Sequence, residues 1–296
     1  MDQLTLGVFS PSVLLEVART TGRLADADLE VRAVPVPSSP AQFTSLRAGD
    51  FDAVFTSPDN VLAYRFLPAN PLGELLDVEI VAGIDRGLGL CLGVRPGLTD
   101  PTQLRGGRLG VDVPNSGFAF VAYALLAELG ISRDELDVVA LGSTPKRANA
   151  LHSGGCDVTV LNAGNELVAR THGCTLLADV TRLGPYLGTV VARLRQAPGA
   201  EEVDRLVAVL VATAHAIVGG DFADEAREAA GRLLGLSPEI AVEHVALLRD
   251  PLRGLVADGT VDEAALTTLV NLRRRFLPAP ELDDISADGV TRARRT

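Results

Sequence analysis

The stretch from Gly142 to Asn165, GSTPKRANALHSGGCDVTVLNAGN, contains the pattern on which the fold prediction rests. It reads as a polar loop with Pro145 at the start of a helix, then a Gly-Gly break, a buried strand and a second polar loop that begins another helix. The same pattern occurs 105 residues earlier, and both copies have the form S-[ST]-P-x5-L-x2-G-x2-D-x7-N. The repeat therefore predicts one helix–strand unit in each of two similar lobes.

Strand-like and helix-like patterns alternate around both copies. Residues 1–66 read as β-α-β-α-β, and residues 101–184 repeat that order, which is typical of a parallel sheet covered by helices. From Gly199 onward the chain has only the helical spacing of apolar residues. We therefore predict an α/β fold of two Rossmann-like lobes with a cleft between them, two hinge crossings near residues 85–100 and 184–192, and a helical C-terminal segment packed on the first lobe.

The predicted domain boundaries follow from the two crossings. Lobe 1 is expected to contain residues 1–90 and 190–278, and lobe 2 residues 91–189. A chain of 296 residues is long enough for two domains of roughly 100–150 residues each. The tail, residues 279–296, lacks periodicity and is predicted to be mobile.

The composition excludes some classes of function. The formal net charge is −11, and Lys146 is the only lysine among 27 basic residues, which argues against a nucleic-acid partner. The three cysteines, Cys91, Cys156 and Cys174, lie in apolar or Gly-rich surroundings without a C-x-x-C pair. We expect them to be buried small side chains rather than metal ligands or disulfide partners. No metal and no cofactor are predicted.

The N-terminal segment MDQLTLGVFS has no basic region followed by an apolar core. No apolar run in the chain reaches the ~18 residues of a membrane span. As the sequence stands, this pattern predicts a cytoplasmic protein without a membrane span. It would be extracytoplasmic if an export signal had been removed.

Small polar residues follow the predicted strands at the ends that face the cleft. In open α/β sheets, ligands bind beyond the carboxyl ends of the strands, where helix N-termini offer N–H donors and partial positive charge. Each loop taken alone is also an ordinary helix cap, but six of them on one side of two facing sheets indicate a ligand site. The candidate ligand-binding residues are Ser10, Ser12, Ser38, Thr56, Ser57, Asn60, Asn115, Ser116, Ser143 and Asn162.

Several segments resemble a known family. GSTPKRANALHSGGCDVTVLNAGNELVARTHGCTLLADV, followed by GPYLGTVVA, resembles the second lobe of periplasmic substrate-binding proteins of the nitrate, sulfonate, taurine and thiamine-pyrimidine-precursor group. LRAGDFDAVFTSPDN and RLGVDVPNSGFAF resemble first-lobe and hinge-adjacent motifs of that group. The resemblance covers residues 4 to about 278 and implies a type II binding-protein fold that closes on a small organic ligand by hinge motion. It also carries over the loop residues above and Tyr186 as ligand contacts, and an ABC-transporter permease as partner if the protein is exported.

Two functions remain open at this point. The first is binding of a carboxylate, sulfonate or polar heterocycle without chemistry, as in ABC-transporter substrate-binding proteins. The alternative is a cytosolic enzyme on the same fold that catalyses decarboxylation, elimination or ring transformation of a small carboxylated or aromatic compound. An enzyme needs an acid or base in the cleft.

The charged candidates near the cleft are Asp59, Asp85, Arg86, Lys146 and Arg147. Asp59 is the one catalytic candidate, although an acid in the first turn of a helix ordinarily complements the helix dipole. His215 and His244 fall in the C-terminal helices and are interpreted as helix-face residues rather than ligands. Asp52 and Asp157 precede strands at the end opposite the cleft and are interpreted as structural.

Overall fold

The computed structural model describes residues 1–285 and 287–290, and two five-stranded sheets organise them. The strands of the first sheet are β1 (Asp2–Val8), β2 (Leu29–Pro35), β3 (Ala53–Thr56), β4 (Val78–Asp85) and β10 (Thr189–Leu194). Those of the second sheet are β5 (Cys91–Val94), β6 (Arg108–Val111), β7 (Asp137–Ala140), β8 (Val158–Leu161) and β9 (Thr175–Asp179). The spatial orders are β2-β1-β3-β10-β4 and β7-β6-β8-β5-β9.

Both sheets have the same pattern of strand directions. β1 pairs in parallel with β2 and β3, as β6 does with β7 and β8, whereas β10 and β5 are antiparallel to both of their neighbours. The chain passes from β4 of the first sheet to β5 of the second, and from β9 of the second sheet to β10 of the first. Each sheet therefore contains one strand that directly follows a strand of the other sheet. Residues 86–90 and 180–188 form these two crossings. The predicted two-lobed α/β fold is confirmed.

We call the first sheet with its helices lobe 1, and the second sheet with its helices lobe 2. The helices of lobe 1 that precede the first crossing are α1 (Val13–Thr20), α2 (Arg23–Asp26), α3 (Ser39–Ala48) and α4 (Pro58–Phe66). Those of lobe 2 are α5 (Gly117–Glu128), α6 (Thr144–His152) and α7 (Asn165–Thr171). The C-terminal helices are α8 (Ala200–Gly219), α9 (Ala223–Leu234), α10 (Pro238–Leu248), α11 (Glu263–Phe276) and α12 (Ala287–Val290).

The sequence repeat corresponds to equivalent positions in the two lobes. Oδ2 of Asp52 accepts a hydrogen bond from the backbone N–H of Thr5 in β1 at 2.7 Å. In lobe 2, Oδ2 of Asp157 accepts the corresponding bond from the N–H of Arg108 in β6, also at 2.7 Å. Asp52 precedes β3 and Asp157 precedes β8, so each carboxylate joins the start of the middle strand of its sheet to the neighbouring strand. Both aspartates are structural, as predicted, but they bind the neighbouring strand rather than the Gly turn that precedes each of them.

The C-terminal helices differ in what they cover. Helix α8 packs on α1 and the first sheet, α9 packs on α1, and α10 packs on α9, so that all three cover lobe 1, as predicted, and share one apolar core with it. Helix α11 instead contacts both α4 of lobe 1 and α5 of lobe 2. The reason lies in two of its side chains, because Arg273 pairs with Asp59 of α4 and Phe276 stacks on Phe120 of α5. The apolar core on this side is continuous between the lobes.

The tail differs from the prediction of mobility over part of its length. Residues Pro280–Asp284 form a 3-10 turn, and Leu282 is buried against Ala63 and Leu67 of lobe 1. An apolar side chain in the acidic tail thus fastens it to α4. The rest of the predicted mobile tail, residues 286 and 291–296, lies outside the described residues.

Within the part of the chain that the structure describes, no single helix is long and apolar enough to cross a membrane. Helices α8 and α9 would meet the criterion of length and composition only as a pair, and the pair is bent by 109°. The three cysteines are free and buried, as predicted. Burial raises the pKa of each thiol, so none is poised as a thiolate nucleophile.

Candidate functional site

A cleft that is partly open to solvent lies between the two lobes, and the empty space in and above it, open solvent included, is about 1060 Å³. Its walls are formed by the loops at the carboxyl ends of the central strands of both sheets. Pro37 after β2 lines the cleft, and Gly142 after β7 is its equivalent in the sequence repeat. A Cβ placed on Gly142 would lie only 3.3 Å from the carbonyl oxygen of Pro37, so the two lobes approach each other closely at these two residues.

Most of the predicted ligand-binding residues lie at this cleft. Those that line it are Ser10, Ser12, Ser38, Thr56, Ser57, Asn60, Ser116, Ser143 and Asn162. Asn115 is exposed and does not line the cleft, because Ser116 takes the capping position of α5. Tyr186 is buried at the second crossing, beside Gly87, and does not line the cleft either. These two positions are corrected, and the binding role of the others remains a prediction.

Five helices begin at the cleft, and most are capped by the serines that line it. The hydroxyl oxygens of Ser12, Ser38, Ser57 and Ser116 accept hydrogen bonds from backbone N–H groups in the first turns of α1, α3, α4 and α5. Ser143 precedes α6 but makes no such bond. Several helix N-termini thus direct partial positive charge into one space, which favours an anionic group there.

Arg147 brings a full positive charge to the cleft. Its side chain lines the cleft but is only 1% exposed. Nη1 donates to the carbonyl of Gly142 at 2.6 Å, and Nη2 donates to Thr144 Oγ1 at 3.0 Å and to the carbonyl of Val160 at 3.2 Å. Nε is buried without a hydrogen-bond partner. All of these partners are neutral, so the hydrogen bonds hold the guanidinium in place without neutralising it.

No carboxylate among residues 1–285 and 287–290 forms an ion pair with Arg147. Burial lowers the pKa of the guanidinium, and the charge of Asp112 raises it in part. An arginine nevertheless stays protonated in proteins at neutral pH. A buried and unpaired cation therefore faces the cleft, an arrangement that is costly unless an anion occupies the space.

The sequence repeat indicates that this charge is not needed by the fold. The position of lobe 1 that corresponds to Arg147, 105 residues earlier, is Gln42. Its Nε2 donates to the carbonyl of Phe55 at 3.0 Å, which is the counterpart of the bond from Arg147 to Val160. A neutral amide thus ties helix to strand in lobe 1 in the same way. In lobe 2, Arg147 makes with a guanidinium the helix-to-strand hydrogen bond that a neutral amide makes in lobe 1.

Two carboxylates of the described residues, Asp112 and Asp85, also line the cleft. Asp112 follows β6 and accepts a hydrogen bond from the hydroxyl of Ser116. Burial raises the pKa of Asp112, while Arg147 and Ser116 lower it. Asp112 and Arg147 both belong to lobe 2, and Asp112 offsets part of the field of Arg147 without forming an ion pair with it.

Asp85 lies where the two crossings meet. It accepts hydrogen bonds from the N–H of Gly87 in the first crossing and from Thr189 at the end of the second. Burial raises the pKa of Asp85 to about 6 in spite of these bonds. Because its partners belong to both crossings, its main role is to clamp the hinge strands together.

His244 is a cleft residue that the sequence interpretation missed. It lies on α10, and its buried side chain lines the cleft beside apolar residues. Burial lowers its pKa to about 4, so the imidazole is neutral at pH 7. Its helix-face position was recognisable from the sequence, but the packing of α10 over the cleft was not. The apolar residues that line the cleft include Phe9, Ile84, Leu88, Leu234, Leu248 and Leu255.

Asp59, the catalytic candidate from the sequence, does not line the cleft. The residue is fully buried, and its two carboxylate oxygens accept hydrogen bonds from Nε and Nη2 of Arg273 at 2.7 and 2.6 Å. Both oxygens are therefore engaged in a buried bidentate ion pair. The catalytic hypothesis for Asp59 is replaced by a structural role.

Glu166 at the start of α7 is a buried acid at the contact between the lobes. Its Oε2 accepts a hydrogen bond from the N–H of Gly164 at 2.9 Å, and its Oε1 has no partner. Gly89 of the first crossing and Leu247 of α10 pack over it, since a Cβ on Gly89 would lie 3.1 Å from Oε1 and 2.9 Å from Leu247 Cδ2. Burial raises the pKa of Glu166 from 4.5 to about 8, although Arg170 lowers it in part.

This buried acid predicts a pH-dependent stability. The folded protein holds the proton of Glu166 more tightly than the unfolded chain, so its contribution is fully present below pH 4.5 and is lost as the pH rises to about 8. Urea unfolding between pH 5 and pH 8 should therefore find that Glu166→Gln gains stability relative to the wild type as the pH rises. Glu263→Gln, at an exposed position, is the control. If the difference in unfolding free energy between Glu166→Gln and the wild type is the same at pH 5 and pH 8, this assignment is contradicted.

The fold has counterparts among solved structures. A protein of Bordetella bronchiseptica RB50 superposes with a TM-score of 0.77 at 19% identity, over 99% of this chain and 95% of that chain. The alkanesulfonate-binding protein SsuA from Xanthomonas axonopodis pv. citri, bound to MOPS, gives 0.74 at 17% identity over 95% of each chain. The desulfurization enzyme DszB gives 0.63 at 19% identity, over 97% of this chain and 95% of that chain.

These comparisons define the class of fold. No protein-family model matches the sequence, and no curated protein matches it either. At identities below 20%, the structural likeness concerns the fold alone. The chain has the two-lobed type II periplasmic-binding-protein fold, as the resemblance in its repeat motifs predicted.

Proposed function

We propose that this protein binds a small organic anion in the cleft between its lobes and closes on it, as the substrate-binding component of an ABC-type transport system. The observation that carries the proposal is Arg147, a buried cation that lines the cleft without an ion-pair partner among the described residues. An anionic ligand would offset the cost of burying that charge. The permease partner is part of the same proposal.

Two features support an anion rather than a neutral ligand. The helix N-termini capped by Ser12, Ser38, Ser57 and Ser116 add partial positive charge around the same space. Gln42 at the position equivalent to Arg147 indicates that the tie between helix and strand does not require a charge. The positive charge of Arg147 is therefore best explained by an anionic ligand in the cleft.

The other wall of the cleft suggests what the anion is attached to. Phe9, Leu88 and Leu248 are among the apolar residues that line it. A ligand with a carboxylate or sulfonate head and an apolar or aromatic body matches both walls. SsuA, whose structure with bound MOPS is similar to this chain, is an alkanesulfonate-binding protein with this fold. We assign the ligand of this chain to the same chemical range.

Calorimetric titration tests the proposal. The purified protein would be titrated with benzenesulfonate, benzoate, MOPS and methanesulfonate in a buffer without organic anions. We expect saturable binding of one molecule per chain for at least one compound with an apolar body, and weaker binding of methanesulfonate. If none of the four compounds binds, the cleft is not a site for small organic anions.

Asn162 provides a test of where the ligand lies. Its side chain lines the cleft and accepts a hydrogen bond from Thr144 at 3.4 Å, which leaves its amide N–H groups available. Asn162→Ala should weaken binding of the best anion by about 1 kcal/mol, or about 5-fold, because a buried polar contact is lost. Asn115→Ala is the matched control, since Asn115 lies outside the cleft. Equal affinities of the two variants would place the ligand elsewhere.

A second candidate function is an enzyme on the same scaffold. The observation that favours it is Asp112, a carboxylate in the cleft whose pKa is raised by burial, which is a common property of catalytic acids and bases. The desulfurization enzyme DszB has a similar fold, so this fold can carry an enzyme. Chromatography of the bound compound after long incubation separates the two functions. Unchanged ligand supports binding alone, and turnover that stops in Asp112→Asn supports the enzyme.

A further inference from the structure

His244 interrupts an otherwise apolar helix face. The buried residues on the same face of α10 are Ala241, Val245 and Leu248, and all three are apolar. The imidazole lines the cleft and is 1% exposed. Packing alone would be satisfied by an aliphatic side chain at this position, since Leu234 and Leu248 line the same part of the cleft. The polar ring therefore needs an explanation beyond the core of lobe 1.

No hydrogen bond reaches either ring nitrogen of His244 from residues 1–285 or 287–290. Nδ1 is fully buried and lies against Gly164, where a Cβ would be 3.5 Å from it. Buried polar groups in proteins are nearly always hydrogen-bonded, and an unsatisfied one destabilises the fold. A neutral imidazole offers one N–H donor and one acceptor, and the pKa of about 4 keeps this one neutral at pH 7.

We propose that His244 hydrogen-bonds an uncharged polar group of the ligand, as a second specificity contact besides Arg147. The inference rests on the proposed function, because it takes the same cleft as the binding site. It narrows the ligand class to organic anions whose apolar body also carries a hydroxyl, ether or amide group. His244 lies on the C-terminal helical segment and Arg147 on lobe 2, so such a ligand contacts both sides of the cleft.

The contact predicts a preference between ligands of nearly equal shape. The probes are benzenesulfonate and its 3-hydroxy and 4-hydroxy derivatives, which share the anionic head and the ring. The wild type should bind at least one hydroxylated compound about 5-fold more tightly than benzenesulfonate, as expected for one added hydrogen bond. His244→Leu, which fills the space with an apolar side chain, should lose this preference for the hydroxylated compound over benzenesulfonate. His244→Asn, which retains a donor and an acceptor, should keep part of it.

Each outcome bears on a specific claim. A preference that persists in His244→Leu, or a wild type without any preference, overturns the role of His244 while leaving anion binding intact. Failure of the wild type to bind any of the three sulfonates overturns this inference, and it overturns the proposed function as well if benzoate and MOPS also fail to bind. A general structural effect of the substitution would change the affinity for all three compounds in parallel, and that result would also count against the specific contact.

Discussion

Replacing Arg147 with glutamine is expected to weaken binding of the best organic anion by about 100-fold. The loss follows from removing the charged partner of a buried anion, for which truncation costs roughly 2–5 kcal/mol. Glutamine is the informative replacement, because Gln42 occupies the equivalent position of lobe 1 and makes the equivalent bond to a strand carbonyl. We therefore expect the stability of Arg147→Gln to stay within about 1 kcal/mol of the wild type. Titration calorimetry and urea unfolding measure the two effects separately.

The adjacent lysine is the matched control for this variant. Lys146 lies on the same helix, is exposed and does not line the cleft. Lys146→Gln removes the same formal charge and should change the affinity by less than about 2-fold, as screening of surface charges predicts. Equal losses in both variants would point to a long-range field rather than a contact. An Arg147→Gln variant with wild-type affinity would remove the basis of the proposed function.

Replacing Asp59 with alanine should destabilise the protein by roughly 3–5 kcal/mol, because Arg273 would remain buried without its partner. The two side chains are 1% and 4% exposed. Arg273 also lies over the ring of Phe120 in lobe 2 at 5.1 Å, so the ion pair helps to join α4, α11 and α5. Urea unfolding of the variant gives the magnitude directly.

Two further variants test the cause of this loss. The exposed pair of Arg47 and Glu74 is the control, and Glu74→Ala should cost no more than about 1 kcal/mol. The double variant Asp59→Leu with Arg273→Met removes both charges and should recover much of the stability lost in Asp59→Ala. If Asp59→Ala alone costs less than about 1 kcal/mol, the buried pair is not a structural link between the lobes.

The fold was predictable because its signals are local and repeated. Ser38 and Ser143 precede helices at equivalent positions, and Asp52 and Asp157 bind equivalent strand N–H groups. Strand and helix periodicity therefore identified two similar lobes. The direction of β5 and β10 was not predictable, because an antiparallel strand that arrives from the other lobe leaves no distinct local pattern.

The candidate site was predictable where it consists of small polar residues at the ends of strands. Nine of the eleven candidate residues line the cleft, and four of them, Ser12, Ser38, Ser57 and Ser116, cap helices there. Asn115 and Ser116 were both candidates, and only Ser116 caps α5 and lines the cleft. Tyr186 came from the family resemblance and lies in the crossing, away from the cleft. The caps thus located the cleft without identifying its charges.

The residues that give the cleft its specificity depend on tertiary packing. Arg147 and Lys146 are adjacent in sequence, and only the orientation of α6 decides which one is buried at the cleft. His244 reaches the cleft because α10 folds back over it from the C-terminal segment. Asp112 did carry a signal, since it follows β6 directly at the carboxyl end of a central strand. That position was readable from the sequence and was overlooked.

The most direct test of the central claim is a crystal structure of the protein with 4-bromobenzenesulfonate. The bromine atom gives an anomalous signal that locates the compound independently of the surrounding density. We predict a bromine peak within the cleft between the lobes, against the apolar wall that includes Leu88 and Leu248, and a sulfonate oxygen within hydrogen-bond distance of Arg147. A bromine peak outside the cleft, or a sulfonate in the cleft that does not contact Arg147, would contradict the account.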